Sequence, residues 1–216
     1  DPYSGGTHLM DVGMVKPFFH DGEIFVFFSN RGHWPDIGGM VPGGFASSTT
    51  EIYQEGLRIP PVKLFRRGVL NEDLLKLVLA NIRVPRERRG DIQAHLAAFE
   101  VGERRLRKLL DRYGPDTIRA CIAELKDRSE TQMRSYLDEI PDGVYEYTDH
   151  MDNDGISHEP LRLNLKMTIK GSDAHLDFSD SSPPCQGPMN SVISAATSAC
   201  YLGFRHIYPE VPVNAG

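Results

Sequence analysis

An Asp-Gly pair at residues 21 and 22 separates two runs rich in Val, Ile and Phe, Asp11 to Phe19 and Glu23 to Ser29. Such a pair between two β-prone runs signals a tight hairpin, because Asp and Gly tolerate the positive φ that a two-residue turn demands. The chain is therefore expected to double back here. Folded symmetrically about Asp21, the hairpin sets residue 8 opposite about residue 34 and residue 11 opposite about residue 31, at the open end away from the turn.

That open end carries one spacing twice, His8-Leu-Met-Asp11 and His33-Trp-Pro-Asp36. The hairpin brings both copies toward one small space. Imidazole and carboxylate together suit a divalent transition metal, and two histidines with one carboxylate leave coordination positions open, as catalytic Mn, Fe or Zn sites require. The alternative is that His8 and His33 are ordinary turn histidines paired with nearby aspartates, since short motifs recur without function. Both readings stand on the residues alone.

Three zones follow one another along the chain. Residues 1–68 are rich in Gly and Pro with short strands, a composition that suits loops around a site on a β scaffold. Residues 69–140 read as helical. Asn71 is placed to cap a helix with Leu74, Leu75, Val78 and Ile82 on its apolar face. A second helix is expected from about Arg86 to Tyr113, with Gly114 as its stop. A third follows Pro115-Asp116 and ends before Pro141. Residues 141–216 return to strands at Gly143–Thr148, Leu161–Lys170 and His175–Ser179. Leu161, Leu163, Leu165, Met167 and Ile169 alternate with polar residues, which implies one buried and one wet face. The apolar stretch Ser191 to Ile207 reads as a buried helix. The fold class is α+β: a hairpin- and loop-rich site region, a central helical segment, and C-terminal short strands with a buried helix.

Composition excludes several classes. A net charge of −6 and a pI near 5.7, with basic residues interspersed, argue against a nucleic-acid binder. RRG at 66–68 and RERR at 86–89 are too short for a basic stripe and read as solvated faces or as a surface open to phosphate, the former being the better reading. No apolar run approaches the roughly eighteen residues of a membrane span, and no signal peptide is visible. Cys121, Cys185 and Cys200 are odd in number and lack CxxC spacing, which disfavours a disulfide framework and fits a reducing cytoplasm.

Other candidate motifs are weaker. TDHMDNDG at 148–155 resembles part of a calcium loop but lacks the closing Glu, so a turn is the better reading, with His150 and His158 solvated. GGMVPGGFASSTT at 38–50 offers backbone amides to an anion but lacks the Lys-Ser/Thr ending of a P-loop. Cys185, in a stiff SPPCQG loop without a neighbouring histidine, reads as structural or incidental and not as a nucleophile.

The blocks DPYSGGTHLMD, RGHWPDIGG, VPGGF, TEIYQEGLRIPPVKL, NIRVPRERRGDIQAHLAA, DFSDSS, QGPMNS and VPVNAG, in this order over the whole chain, resemble the hydantoinase B/oxoprolinase family. The resemblance implies one subunit of an ATP-dependent enzyme that opens cyclic amides such as hydantoins, 5-oxoproline and lactams. It implies a metal held by a His, an Asp three residues on, and a second His twenty-five residues after the first, which His8, Asp11 and His33 match. Asp36 is a candidate fourth ligand or outer partner of that metal, and the candidate catalytic residue that orients or deprotonates a water. The metal would be Mn, Zn or Fe, and ATP would be bound by a hydantoinase A-type ATPase partner in a hetero-oligomer. Related ketone carboxylases of the acetone and acetophenone type make ATP-dependent carboxylation the alternative, and a metal-free scaffold for the ATPase is a third reading. The chain is then expected to be an internal piece of a subunit about two to three times longer. The SPPCQG stretch departs from the family pattern and leaves the substrate open.

Overall fold

The computed structural model describes residues 1–214, so the last two residues of the VPVNAG block lie outside the described residues. The architecture is α+β. The chain divides into two compact units, Asp1–Leu109 and the residues from Leu110 onward.

The first unit is built on the hairpin of β1 (Asp11–His20) and β2 (Glu23–His33). Asp21 and Gly22 form the two-residue turn with φ of 51° and 85°, both positive as this turn requires. The register differs from the symmetric expectation. His20 faces Glu23, so the turn is centred between Asp21 and Gly22 and not on Asp21, and a shift between Phe18 and Phe19, with Phe25 as one extra residue on β2, adds a second step; together they leave Asp11 opposite His33 rather than residue 31. Both strands also run further than their apolar content indicates, and β2 reaches His33.

A short helix α1 (Ile52–Glu55) and a two-residue strand pair, β3 (Phe65–Arg66) with β4 (Val69–Leu70), lead into α2 (Glu72–Ala80). Asn71 caps α2 as expected, its side chain accepting the Leu74 N–H at 3.1 Å. Helix α3 (Pro85–Tyr113) starts on proline, whose missing N–H costs nothing at a first helical position. It lies along the hairpin. Lys16 pairs with Glu103, and Arg107 stacks over the Phe18 ring at 4.8 Å. Leu9, Met10, Trp34, Ile37, Leu75, Leu79, Ile82 and Ile92 form the core, so residues within both His-x-x-Asp segments anchor the site region in it.

In the second unit, α4 (Pro115–Asp138) is followed by the antiparallel sheet β5 (Gly143–Met151), β6 (Leu161–Lys170) and β7 (Asp173–Asp177), in that order. Arg134 of α4 ties the helix to Asp173 at 2.6 Å. The alternation on β6 is imperfect. Ile169 is buried, but Leu163 is 49% exposed, while Asn164, on the face expected to be wet, is buried and donates to Glu146 and Thr148.

Helix α5 (Ile193–Ile207) forms where the apolar stretch stands, but it is not buried. Ile193 is 83% exposed and Tyr201 67%. Apolar content declares that a helix face favours a neighbour; it does not place that neighbour within the same stretch of chain. Among the described residues no helix is long and apolar enough to cross a membrane, and the three cysteines are free thiols.

Candidate functional site

Met10 organises the open end of the hairpin. Its carbonyl accepts N–H bonds from Val12 at 3.0 Å and Trp34 at 2.8 Å, tying the start of β1 to the end of β2. Leu9, Met10 and Trp34 point into the core, which leaves the polar residues between them on the outer side. There the structure brings together His8, Asp11 and His33, each with a ligand atom within 4.8 Å of the others. His8 Nε2 lies 3.2 Å from Asp11 Oδ2, and the two imidazole centroids are 5.0 Å apart.

The donor set suits a divalent ion. Two donors about 2.1 Å from a common ion stand roughly 3 to 4 Å apart, so this spacing needs only small side-chain rotations. Asp11 is held in place by the Thr7 hydroxyl, which donates to Oδ2, and by the Arg31 guanidinium 3.8 Å away. Such outer contacts orient a ligating carboxylate.

Asp36 is not in this group. It is 6% exposed, and its carboxylate accepts N–H bonds from Gly38 at 2.9 Å and Gly43 at 3.0 Å. Arg83 Nη1 lies 3.2 Å from Oδ2, and the same guanidinium donates to the carbonyls of Gly38, Gly39 and Val41. Burial works against the charge of Asp36, but the two amides and Arg83 outweigh it and hold the carboxyl below the usual carboxylate range. Two amides of the glycine-rich loop therefore already hold an anion, which is the protein's own Asp36.

That loop places Phe45 over the metal-ligand candidates. The ring stacks 6.1 Å from both His8 and His33 and is 73% exposed. Gly44 (φ +76°) lies where a β-carbon would meet Met10 Sδ at 2.6 Å, so the loop closes onto the residue that joins the two strands.

Sequence reasoning missed Phe45, Arg83 and Glu55. The Glu55 carboxyl is pushed up by burial, with the charge of His8 opposing, which places it within electrostatic reach of the site. Phe45 and Glu55 lie in the quoted VPGGF and EIYQEG blocks, but nothing in their spacing singles them out. The turn expected over 148–155 begins later than the sequence indicates, because Thr148 to Met151 finish β5; in the loop beyond, Asp154 is 2% exposed and accepts N–H bonds from Ile156, Ser157 and Gly187, a clamp that engages both carboxylate oxygens. Cys185 sits in a loop closed by reciprocal bonds with Asn190.

A family model described as hydantoinase B/oxoprolinase matches residues 1–216. The chain is 42% identical over 212 residues to the beta subunit of caprolactamase from Pseudomonas jessenii, covering 98% of this chain and 36% of that protein. It is 29% identical over 225 residues to 5-oxoprolinase of Dictyostelium discoideum, covering all of this chain and 17% of the relative. The crystal structure of ATP-dependent caprolactamase from Pseudomonas jessenii superposes with a TM-score of 0.89 at 41% identity, over 99% of this chain and 36% of that one. The nucleotide-free structure of acetone carboxylase matches with a TM-score of 0.86 at 18% identity, over 94% of this chain and 29% of that one, a likeness of fold alone. The chain thus spans little more than a third of the first of these curated relatives and less than a fifth of the second.

Proposed function

The chain belongs to the hydantoinase B/oxoprolinase family, and from that premise we propose that it carries the metal centre of an ATP-dependent cyclic-amide hydrolase, opening the ring of a substrate activated by a hydantoinase A-type ATPase partner. One observation carries the reading: the ligand atoms of His8, Asp11 and His33 converge within 4.8 Å. The two imidazoles act as neutral nitrogen donors and Asp11 as the anionic one. Bound there, Mn, Zn or Fe would supply Lewis acidity and lower the pKa of a coordinated water to about 7.

The remaining residues shape the site. Thr7 and Arg31 hold Asp11 in its ligating orientation. Phe45 shields one side of the imidazole pair from water and offers an apolar surface to the hydrocarbon part of a cyclic amide. Asp36 acts through the loop rather than as a base: its two amide bonds and Arg83 fix the segment that carries Phe45.

The test is elemental analysis of the intact protein and of its His8→Ala/His33→Ala variant, followed by ATP-coupled turnover of cyclic amides with the ATPase partner, with and without bicarbonate. About one metal per chain, lost in the variant, with turnover independent of bicarbonate is the expected result. Turnover of a ketone that requires bicarbonate would replace hydrolysis by carboxylation. No bound metal, together with unchanged activity in the variant, would leave a scaffold.

A further inference from the structure

A third histidine lies behind the site. His95 is on α3 and only 6% exposed. Along β2 and into Trp34, whose N–H still bonds the Met10 carbonyl, side chains alternate between faces, so Asn30, Gly32 and Trp34 share one face while Arg31 and His33 share the other. His95 packs on the first of these faces, directly behind the strand segment that presents His33.

Its contacts there are specific. The Asn30 side-chain amide donates to the His95 carbonyl at 2.9 Å, which fixes the orientation of that amide and turns its oxygen toward the ring. Asn30 Oδ1 then stands 2.5 Å from His95 Nδ1. An amide oxygen only accepts, so Nδ1 carries the proton and Nε2 is left as a bare acceptor. Burial holds the imidazole below its ordinary pKa, with Asp91 opposing, in keeping with a neutral ring.

The ring edge occupies the space above Gly32. A β-carbon at residue 32 would stand 2.7 Å from His95 Nε2, 3.1 Å from Cε1 and 3.7 Å from Trp34 Nε1. Trp34 is 2% exposed and its indole N–H has no hydrogen-bond partner among the described residues. The backbone at Gly32 and His33 is thus held between Asn30 and Trp34 by a side chain from another element. A strand end without such a contact frays, because its last pairings have water on several sides.

We propose that His95 is a positioning residue for the metal centre: bonded to Asn30 and seated over Gly32, it fixes the end of β2 and so the place of His33 opposite Asp11. The inference rests on the metal reading above. A ligand whose backbone is fixed loses little freedom on coordination, so His95 raises metal affinity without touching the metal, as partners of ligating residues commonly do by 10–100-fold.

The test uses the intact protein titrated with Mn²⁺ by EPR and with Zn²⁺ by calorimetry, with the thermal midpoint measured alongside. Three variants are compared, Gly32→Ala, His95→Asn and the double. Gly32→Ala forces a methyl group against the imidazole and is expected to weaken metal binding at least tenfold. The double variant is expected to recover much of that loss, because asparagine is shorter than histidine yet still donates to Asn30. His95→Asn alone keeps that bond and keeps the test decisive if Gly32→Ala folds poorly; it is expected to weaken binding severalfold. Lower thermal midpoints with wild-type metal affinity in all variants would assign His95 to the fold alone and overturn the proposal. Failure of the wild type to bind either metal would instead remove the metal reading, and this inference with it.

Discussion

Asp11 and Asp36 close two copies of the same four-residue spacing, yet Asp11 opens a strand with its carboxylate beside two imidazoles, whereas Asp36 follows a strand and turns inward to two backbone amides and an arginine. The difference lies in what the backbone does next. After Asp11 the chain enters β1 and its own N–H groups find partners in the ladder. After Asp36 it enters a loop of glycines, whose backbone N–H groups need acceptors once buried, and the nearest carboxylate supplies one. A sequence motif fixes which atoms are available; the surrounding backbone decides whether they are already occupied.

Exchanging charge for a neutral isostere at each position breaks this comparison most directly. Asp11→Asn removes the anionic donor and is expected to weaken Mn²⁺ or Zn²⁺ binding by at least about a hundredfold, beyond the 10–100-fold typical of outer partners. Asp36→Asn is expected to leave affinity within a few-fold of wild type. Equal losses from both would mean that Asp36 reaches the metal and that the two carboxylates do not differ in role.

Stability should respond in the opposite sense. Asp36→Asn presents an amide N–H₂ to one of the two glycine amides and leaves Arg83 without its anion, so unfolding free energy is expected to fall by about 2 kcal/mol, in the range for hydrogen bonds to a charged group. Chemical denaturation of the two proteins at pH 7 measures it. Asp11→Asn, whose carboxylate is more exposed and only partly paired, is expected to change stability less.

Acid should then erase the Asp36 effect. The folded protein holds this carboxyl below its usual range, so its contribution is complete above the unfolded value near 4 and is lost as the pH falls through the depressed folded value. The gap in thermal midpoint between wild type and Asp36→Asn is expected to be constant from about pH 7 to 5 and to close below about pH 4. A gap that persists in acid would show that Asp36 is held by its shape and not by its charge.

What was legible in the sequence follows the same division. The hairpin, the α2 cap at Asn71 and the long helices were readable because each depends on residues close in sequence: a turn pair, a capping side chain, a 3.6-residue period. The convergence of His8, Asp11 and His33 was readable from the hairpin, although the turn centre and the extra residue at Phe25 together shift the register and set Asp11 directly across from His33. Arg83 and His95 were not readable. Each acts across 47 and 65 residues, on Asp36 and Asn30, and neither carries a local pattern. The exposure of α5 was missed for a related reason, since an apolar helix face does not reveal where its neighbour lies.

The smallest effect tests whether the loop matters to chemistry as well as to architecture. Phe45 is 73% exposed, so Phe45→Ala is expected to change stability by no more than about 0.5 kcal/mol, as for most surface positions. Its ring nevertheless lies 6.1 Å from both imidazoles, where the apolar part of a bound ring would meet it. Covering one or two methylene groups of the substrate contributes about 0.8–1.6 kcal/mol, so with the ATPase partner present Phe45→Ala is expected to raise KM for a cyclic amide by roughly 4- to 15-fold. The turnover number and metal content should stay near wild type, because a contact made equally in the bound substrate and the transition state moves KM alone. Phe45→Leu should recover part of the loss through its remaining apolar area. A fall in the turnover number with an unchanged KM would place Phe45 with the ligands, as a brace for the two histidines, and would make the loop built on Asp36 a support of the metal set rather than a wall of the substrate site.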